Sequence, residues 1–576
     1  MVAGEPTRPP AGRRRAPAWL LAAILGAVYV ALAPPSADLA AQAYRAGLFE
    51  RAGYVAWDNG WFAGHATLPY SLLSPPLMAW LGVHLAGAVS AVGAAAVFER
   101  MAARAGRGGR VAAVAFAAAV GAHLWTGRVT FLLGLALGLA AVLATARGRP
   151  LPALALGGLT TAASPVAGLF TAVAGAGLGW AAVRRAHTGR DPAPGARGAR
   201  PGHAGSDPAP GERATPGAIG RSARPLARPA PAATLALLAG VGVPAVALLA
   251  LFPQSGTEPF VGSAFWPALA AAVAVALLVP REAHALRAGA VVYAVLLVAA
   301  FAVPNTLGGN ATRLGALVAG PALIAAAWDH RRWAVLALSP ALVYWALYPP
   351  IRDWSRAAYD PAVYEAFHAP LVGSCVRRAP RSPFAWRSCP PPTTGRRAGS
   401  PSTCLWLAAG CASSIAPRVR CSYTARLDPE AYRRWLAARA VRFVALPRGA
   451  PIDEGGRSEA ALLRAGPPGW LRPVWRTEDW RVWEVRAPGA LVRGDLDGTA
   501  VTPDRVTLRA LAPGAAATVQ VRWTPHRGIV EGAGCVRRAP GGWTRVEARA
   551  PGPLVLGISV TPTRARAEGP RCTDPG

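Results

Sequence analysis

Long apolar runs constrain this chain more than any other feature. Several runs rich in alanine, leucine and valine approach or exceed the roughly 17 to 20 residues that cross the hydrocarbon core of a bilayer. Because hydrocarbon offers the backbone no hydrogen-bond partner, such runs fold as helices. The chain has 576 residues, of which 53% are hydrophobic, and a mean hydropathy of +0.28. The sequence therefore predicts a multi-pass α-helical membrane protein.

The apolar runs predict about eleven transmembrane helices. Single helices are expected at 17–32, 72–98, 111–125, 129–144, 232–252, 264–279, 288–303, 314–328 and 333–348. The run 151–183 is too long for one ordinary helix and is interrupted by Ser164-Pro165. Proline removes a backbone donor and breaks or kinks a helix, so two shorter helices are predicted there.

The arginines predict the orientation. Three arginines at 13–15 precede the first helix, and cytoplasmic loops carry an excess of positive charge. With eleven helices, the arginine-bearing loops at 100–110, 147–149, 281–287 and 331–332 all fall on the cytoplasmic side. No convincing signal-peptide cleavage site follows the first helix, because prolines occupy positions 34 and 35, where such a site would lie. The first helix is therefore expected to stay uncleaved. We predict a bacterial cytoplasmic membrane protein with residues 1–16 inside and everything after Tyr348 outside.

The net charge of +32 is carried by arginine alone, since the chain has no lysine. These arginines fall in loops and in a linker, so we expect the lipid bilayer, and no nucleic acid, as the partner of this charge. The linker, 184–231, is rich in proline, glycine, alanine and arginine and cannot bury a core. It is predicted to be disordered and cytoplasmic, and it divides the membrane domain into 17–183 and 232–349.

Residues 350–576 are too polar for a membrane and predict an extracytoplasmic α+β or β-sandwich domain. "LDPEAYRRWLAARA" predicts a helix with Asp428 near its start, and "VRFVALP" predicts a strand after it. The domain reads as β-rich from about 470, with a hairpin that turns at 477–479. From about 499 onward, alternating apolar and polar residues predict a small β-sandwich.

Residues 373–422 do not resemble their surroundings. They hold five of the seven cysteines and no sustained helical or strand period. These cysteines are Cys375, Cys389, Cys404, Cys411 and Cys421. A metal site and a disulfide-rich loop are two readings of the segment. We hypothesise a third, a compensated pair of frameshifts in GC-rich DNA, which yields arginine, proline, serine and cysteine in this manner.

The other two cysteines, Cys535 and Cys572, lie in the predicted β-rich domain outside the membrane. An even pair in an oxidising compartment predicts a structural disulfide, and two unpaired thiols are the alternative.

The loop 35–71, after the first helix, is unusually polar and aromatic. Its first part predicts a helix from Asp38 to about Arg51 that lies in the membrane interface. Asp38 is a good N-cap residue for that helix. At the mouth of a membrane helix, the same carboxylate could act as a general base or bind a divalent cation such as Mg²⁺ or Mn²⁺. The sequence leaves capping and catalysis open.

Six further polar residues on the predicted outer side are candidates for substrate binding. They are Arg45, Asp58, His65, Arg128, Glu258 and Arg313. An arginine beside a loop rich in glycine and asparagine, as in "VPNTLGGNATRLG", could bind a lipid-linked phosphate. The alternatives are contacts with phospholipid headgroups for the arginines and loop hydrogen bonds for Asp58 and His65.

Together, these segments resemble a known superfamily. In the order of its segments, the chain resembles the C-superfamily (GT-C) of membrane glycosyltransferases. The order is a first span, Asp38, an interfacial helix, "WDNGWFAGHATLPYSLLSPPL", a second span and later "GRVTFLLGLALGLA" and "TTAASPVAGLF". It is most similar to bacterial and archaeal integral membrane proteins named after a 6-pyruvoyl-tetrahydropterin-synthase-related domain. The likeness covers roughly residues 17 to 350.

The resemblance implies transfer of a sugar from a polyprenyl-phosphate carrier to an extracytoplasmic glycan or protein acceptor. In that superfamily an acid in the first outer loop is central to catalysis, and Asp38 matches its position. The usual second acid of the motif is missing, because Leu39 and Ala40 follow Asp38. A transporter or a non-catalytic envelope protein is the rival, although the sequence has few polar residues at mid-membrane and no clear internal repeat.

Overall fold

The fold is known from a computed structural model. It describes residues 16–59, 64–187, 231–252, 258–378, 384–388, 404–408, 427–452 and 456–558, together with Cys572. The helices up to the last apolar one are α1 (Trp19–Leu32), α2 (Ala37–Ala52), α3 (Ser74–Leu81), α4 (Val83–Ala102), α5 (Gly106–His123), α6 (Val129–Ala146), α7 (Pro150–Ala163), α8 (Pro165–His187), α9 (Pro231–Leu251), α10 (Gly262–Leu278), α11 (His284–Ala302) and α12 (Gly320–Ala358). A short hairpin of β1 (Trp57–Asp58) and β2 (His65–Ala66) follows α2.

Seven helical segments of the described chain are long and apolar enough to cross a membrane. They are Val83–Ala102, Gly106–Thr126, Val129–Ala146, Pro165–Arg185, Pro231–Leu251, His284–Ala302 and Gly308–Ala358. Three apolar helices are shorter: Trp19–Leu32, Pro150–Ala163 and Gly262–Leu278. A helical, membrane-compatible domain is thus confirmed, whereas the count of eleven spans stays a prediction. The predicted linker lies almost entirely outside the described residues.

The predicted single helix over 72–98 is wrong. Two helices, α3 and α4, occupy this stretch, and the chain breaks between them at Gly82, which has φ +80°. Glycine adopts this backbone conformation readily because it has no Cβ. By contrast, the predicted break at Ser164-Pro165 is present, since α7 ends at Ala163 and α8 begins at Pro165.

The last apolar segment, Gly308–Ala358, folds back on itself at Arg331. This residue alone leaves the helical conformation, with φ −138° and ψ 41°. A Cβ on Gly315 would meet Trp345, and one on Gly320 would meet Leu342, so the two arms run antiparallel. This hairpin agrees with the two helices predicted at 314–328 and 333–348. The second arm continues through Pro349 and Pro350 to Ala358, beyond the predicted domain boundary at 349.

The helix bundle has two chemically different ends. At one end, the Glu99 carboxylate accepts hydrogen bonds from the backbone N–H groups of Ala18 and Trp19, at 2.8 and 3.2 Å. The Arg110 guanidinium lies 3.9 Å from the same carboxylate. We call the opposite end of the bundle the polar end. There α1 ends, and α2, α6 and the last apolar segment begin.

The C-terminal region first contains one mixed sheet and three helices. Its elements are α13 (Glu365–Arg378), β3 (Phe384–Ser388), β4 (Cys404–Ala408), α14 (Pro429–Ala437), β5 (Val441–Pro447), α15 (Arg457–Ala465), β6 (Leu471–Arg476) and β7 (Trp480–Val485). The strand order is β4-β3-β5-β7-β6, with β3 parallel to both of its neighbours. The segment 373–422 thus contributes two strands to a sheet, although Cys389, Cys411 and Cys421 lie outside the described residues.

Two four-stranded sheets form the β-sandwich. Its strands are β8 (Val492–Gly494), β9 (Leu496–Val501), β10 (Val506–Ala510), β11 (Ala516–Arg522), β12 (Arg527–Glu531), β13 (Gly534–Ala539), β14 (Trp543–Ala548) and β15 (Gly552–Ile558). The sheets have the orders β12-β15-β10-β9 and β13-β14-β11-β8, and Leu508, Val519 and Leu556 are fully buried between them. Cys535 on β13 is bonded to Cys572, with 5.1 Å between their Cα atoms. The predicted helix after Asp428, the strand "VRFVALP" and the turn at 477–479 are all present.

Candidate functional site

Gly127 brings the turn before α6 against the start of α2. It has φ +72° and ψ 12°, a left-handed conformation that favours glycine. A Cβ at this position would lie 2.7 Å from the Leu39 nitrogen and 2.8 Å from Ser36 Oγ. Only a residue without a side chain therefore allows this close approach. The next residue, Arg128, is placed beside Asp38 as a consequence.

Arg128 joins three parts of the chain. Its Nε donates to Asp38 Oδ2 at 2.6 Å, and its Nη2 donates to Asp353 Oδ2 at 3.4 Å. The side chain of Arg128 is 19% exposed, compared with 14% for Asp353 and 44% for Asp38. Burial opposes the charge of the guanidinium, but the two carboxylates outweigh it and hold the Arg128 pKa above its ordinary value.

Asp38 is not the cap of α2, which rules out one of the two alternatives that the sequence left open. Ser36 occupies the N-cap position, and Asp38 lies in the first turn of the helix. The carboxylate of Asp38 instead bonds to Arg128, because the turn at Gly127 places a cation in front of it. An acid in the first turn still interacts favourably with the positive end of the helix dipole.

Glu258 and Arg313 belong to the same end of the bundle. Arg313 interacts electrostatically with Asp38, Glu258 and Arg128. Its Nη2 donates to Asn310 Oδ1, and its guanidinium lies 5.6 Å from the centre of the Phe131 ring. Partial burial raises the pKa of Glu258, with Arg313 opposing and Asp38 reinforcing the shift.

Gly308 permits the contact between the loops that carry Glu258 and Arg313. It has φ +47°, and a Cβ there would lie 2.4 Å from the Glu258 carbonyl oxygen. The Glu258 N–H also donates to the Asn305 carbonyl at 2.8 Å. The glycine-rich stretch in "VPNTLGGNATRLG" thus fixes the position of Glu258 relative to Arg313.

Arg45 forms a second, neighbouring group with Tyr70. Its guanidinium stacks 3.7 Å from the centre of the Tyr70 ring, and its Nη1 donates to the Thr67 carbonyl at 3.4 Å. The Tyr70 hydroxyl accepts a hydrogen bond from Gln42 Nε2 at 2.6 Å. Tyr70 also interacts electrostatically with Arg128, so it connects the two groups.

Asp58 and His65 lie opposite each other on the β1–β2 hairpin. Asp58 is fully buried, and its Oδ2 accepts a hydrogen bond from the Tyr44 hydroxyl at 2.6 Å. Burial and the Asp58 charge raise the pKa of Tyr44. These contacts attach the hairpin to α2, and the Asp58 charge also acts on Arg45.

The sequence analysis missed Asp353 and Arg352. Both follow Pro349-Pro350, where the predicted last helix had already ended, in the stretch "YPPIRDWSR". Arg352 Nε and Nη2 donate to Asp353 Oδ1 at 2.9 and 2.7 Å. An adjacent arginine and aspartate just past a membrane helix is the signal that could have identified them.

Asp38, Glu258 and Asp353 supply the carboxylate oxygens that a divalent cation would require at the polar end. Their mutual spacing falls short of a preformed cage. Among the described residues, the only compact group of three potential metal ligands is Cys535, Glu547 and Cys572, and two of these are joined by the disulfide. The polar end can therefore offer oxygen ligands to a cation, with Glu258 and Asp38 more exposed than Asp353.

The arrangement combines a half-exposed carboxylate with two arginines at the mouth of an apolar helix bundle. A carboxylate in this setting can accept a proton from a hydroxyl, and a guanidinium can hold a phosphate oxygen. Comparison of the chain with protein-family models, with curated proteins and with solved structures gave no match in any of the three.

Proposed function

We propose that the polar end is the reaction centre of a membrane glycosyltransferase-like protein. It would transfer a sugar from a polyprenyl-phosphate carrier to a glycan or protein acceptor outside the cytoplasmic membrane. The observation that carries the proposal is the convergence of Asp38, Arg128, Glu258 and Arg313 from four separate segments onto one end of apolar helices. The resemblance of the first loop to the GT-C superfamily supports the same reaction class.

In this proposal Asp38 is the general base. Its Oδ2 is held by Arg128, and with 44% of its side chain exposed the carboxylate could be reached by an acceptor hydroxyl. The hydroxyl oxygen attacks the anomeric carbon of the donor, the bond from that carbon to the phosphate oxygen breaks, and the hydroxyl proton passes to Asp38. A divalent cation held by Asp38 would supply charge stabilisation for the departing phosphate.

The two arginines have different roles. Arg128 is bonded to two carboxylates and therefore positions Asp38. Arg313 has a neutral hydrogen-bond partner, Asn310, and lies over the Phe131 ring. It is the better cation for the carrier phosphate, whose polyprenyl chain would lie in the bilayer beside the helices.

The C-terminal domain supports an extracytoplasmic orientation of the polar end. It follows α12 directly, and its disulfide between Cys535 and Cys572 suits an oxidising compartment. Together with the distribution of arginine loops, this favours a cytoplasmic N-terminus and a C-terminal domain outside a bacterial plasma membrane. The domain would then hold the acceptor above the polar end.

The test is transfer of label from a polyprenyl-phosphate sugar in membranes that contain the full chain. Asp38→Asn removes the base while keeping the shape of the side chain, and we expect it to abolish transfer. Glu50→Gln is the matched control, since Glu50 is an exposed acid on the same helix. Arg313→Gln is expected to raise the KM for the donor, because it removes a phosphate contact.

Retained transfer by Asp38→Asn, with wild-type protein levels, would contradict the proposal.

A second candidate, a non-catalytic envelope protein, is favoured by one observation: Arg128, Asp38, Asp353 and Arg352 largely neutralise one another. In that case the ion pairs only fasten helix ends. Asp38→Asn would then lower stability, and neither the wild type nor Glu50→Gln would transfer sugar.

A further inference from the structure

The β-sandwich meets the membrane part of the chain along a small seam. The His526 Nε2–H donates to the Leu251 carbonyl at 2.6 Å, and the His526 ring lies 5.0 Å from the Phe252 ring. On the other side of the seam, the Asn59 N–H donates to the Pro503 carbonyl at 2.5 Å. The seam therefore joins the sandwich to the end of α9 and to the β1–β2 hairpin.

Arg527 lies in this seam without a carboxylate partner among the described residues. It is only 3% exposed. Its Nε donates to the Arg522 carbonyl at 3.1 Å, and its Nη2 donates to Asn59 Oδ1 at 3.0 Å. Burial lowers the pKa of Arg527 to about 9, so the guanidinium remains charged near neutral pH. A buried charge is strongly destabilising unless an opposite charge or further hydrogen bonds compensate for it.

Three buried donors around Arg527 have no hydrogen-bond acceptor in the described part of the chain. They are Arg527 Nη1, Asn59 Nδ2 and Trp57 Nε1. Asn59 is fully buried and bonded to Arg527, and the Arg527 guanidinium lies 5.9 Å from the centre of the Trp57 ring. Because all three groups can only donate, they are complementary to a ligand that can only accept.

The nearest acid in the sequence does not neutralise Arg527. Asp58 lies between Trp57 and Asn59 in the chain, but its Oδ2 accepts from Tyr44 on α2. Asp58 therefore faces α2, whereas Asn59 and Trp57 contact Arg527 of the sandwich. The charge of Asp58 acts on Arg45 and Tyr44, away from the seam.

We propose that Arg527, Asn59 and Trp57 form a binding site for a phosphate-type oxyanion at the seam between the β-sandwich and the first loop. Phosphate offers several acceptor oxygens in different directions, which suits three donors from two parts of the chain. The anion could be free phosphate or the headgroup phosphate of an anionic lipid, since the seam includes the end of an apolar helix. This site is separate from the polar-end residues and does not depend on the proposed reaction.

The experiment uses the full chain in phosphatidylcholine nanodiscs and in nanodiscs with a share of phosphatidylglycerol. Binding of inorganic phosphate is measured by calorimetry, and thermal stability is measured with and without phosphate. We expect phosphate, phosphatidylglycerol or both to stabilise the wild type. Arg527→Gln should weaken that binding by about tenfold or more, because it removes a charged donor. Arg505→Gln is the matched control, since Arg505 is an exposed arginine of the same sandwich that is paired with Asp504 and Glu531.

A second variant tests the site by adding an anion. Asn59→Asp places a carboxylate beside Arg527, so we expect higher stability in phosphate-free phosphatidylcholine nanodiscs and little further gain from phosphate. Stabilisation of the wild type by phosphate alone identifies a soluble anion, and stabilisation by phosphatidylglycerol alone identifies a lipid headgroup. No effect of either ligand, an equal loss in Arg505→Gln, or no gain in Asn59→Asp would overturn the proposal.

Discussion

Gly127→Ala is expected to separate the turn that carries Arg128 from the start of α2. Two effects add. Alanine in the left-handed region costs roughly 1–2 kcal/mol relative to a relaxed backbone. The new Cβ would also lie 2.7 Å from the Leu39 nitrogen and 2.8 Å from Ser36 Oγ, so one of the two segments must move. Overpacking of this kind costs roughly 1–3 kcal/mol, which gives a total of about 2–5 kcal/mol.

Gly514→Ala separates these two effects. Gly514 has φ +77°, and a Cβ there would meet nothing within 4 Å. It should therefore show only the backbone cost of roughly 1–2 kcal/mol.

Hydrogen exchange of the full chain, followed by mass spectrometry, measures the local consequence. Because each 1.4 kcal/mol of lost local stability changes exchange about tenfold, the first turns of α2 should exchange at least tenfold faster in Gly127→Ala. Gly514→Ala should leave those amides unchanged. If Gly127→Ala also leaves them unchanged, the close approach of the turn to α2 does not hold Arg128 against Asp38, and the reasoning is wrong.

Three other perturbations test separate parts of the structure. Arg128→Met leaves Asp38 and Asp353 without their shared cation. It should therefore lower the melting temperature of the purified chain by the equivalent of about 1–3 kcal/mol. Adding Asp353→Asn to this variant should recover part of the loss. Cys535→Ser opens a disulfide across 37 residues and should destabilise the sandwich by about 2–4 kcal/mol in chemical denaturation, with no further effect of a reductant. Burial raises the pKa of Glu484, but hydrogen bonds from Arg472 and Arg442 outweigh it and lower the pKa below the ordinary 4.5. The stabilising effect of Glu484 is thus present above that value and is lost as the pH falls through the lowered pKa. Glu484→Gln should therefore destabilise at neutral pH, and its difference from the wild type in unfolding should shrink as acid protonates Glu484.

Elements with a strong local signal were predictable from the sequence. The break at Ser164-Pro165 follows from the missing backbone donor of proline, and the helix after Asp428 follows from its cap, whose Oδ2 accepts from the Ala431 N–H at 2.8 Å. The break at Gly82 was missed because a single glycine in an apolar run is also compatible with a continuous helix.

The polar end was predictable in its parts and not in its connections. Asp38, Arg128, Glu258 and Arg313 were selected because polar residues at the ends of membrane helices are few. Asp38 forms a hydrogen bond with Arg128 rather than with its own helix because of the left-handed turn at Gly127. No local sequence pattern specifies that turn. Asp353 was missed because its role depends on a contact with Arg128 across 225 residues of chain.

The contact between Arg128 and Asp353 also bears on how the protein is made. Asp38 and Arg128 are synthesised early, whereas Asp353 is synthesised only after every predicted membrane helix. Until then the guanidinium has one carboxylate instead of two. Arg128 therefore gains its second carboxylate only when the bundle is complete, and Asp353 brings its own cation, Arg352, with it.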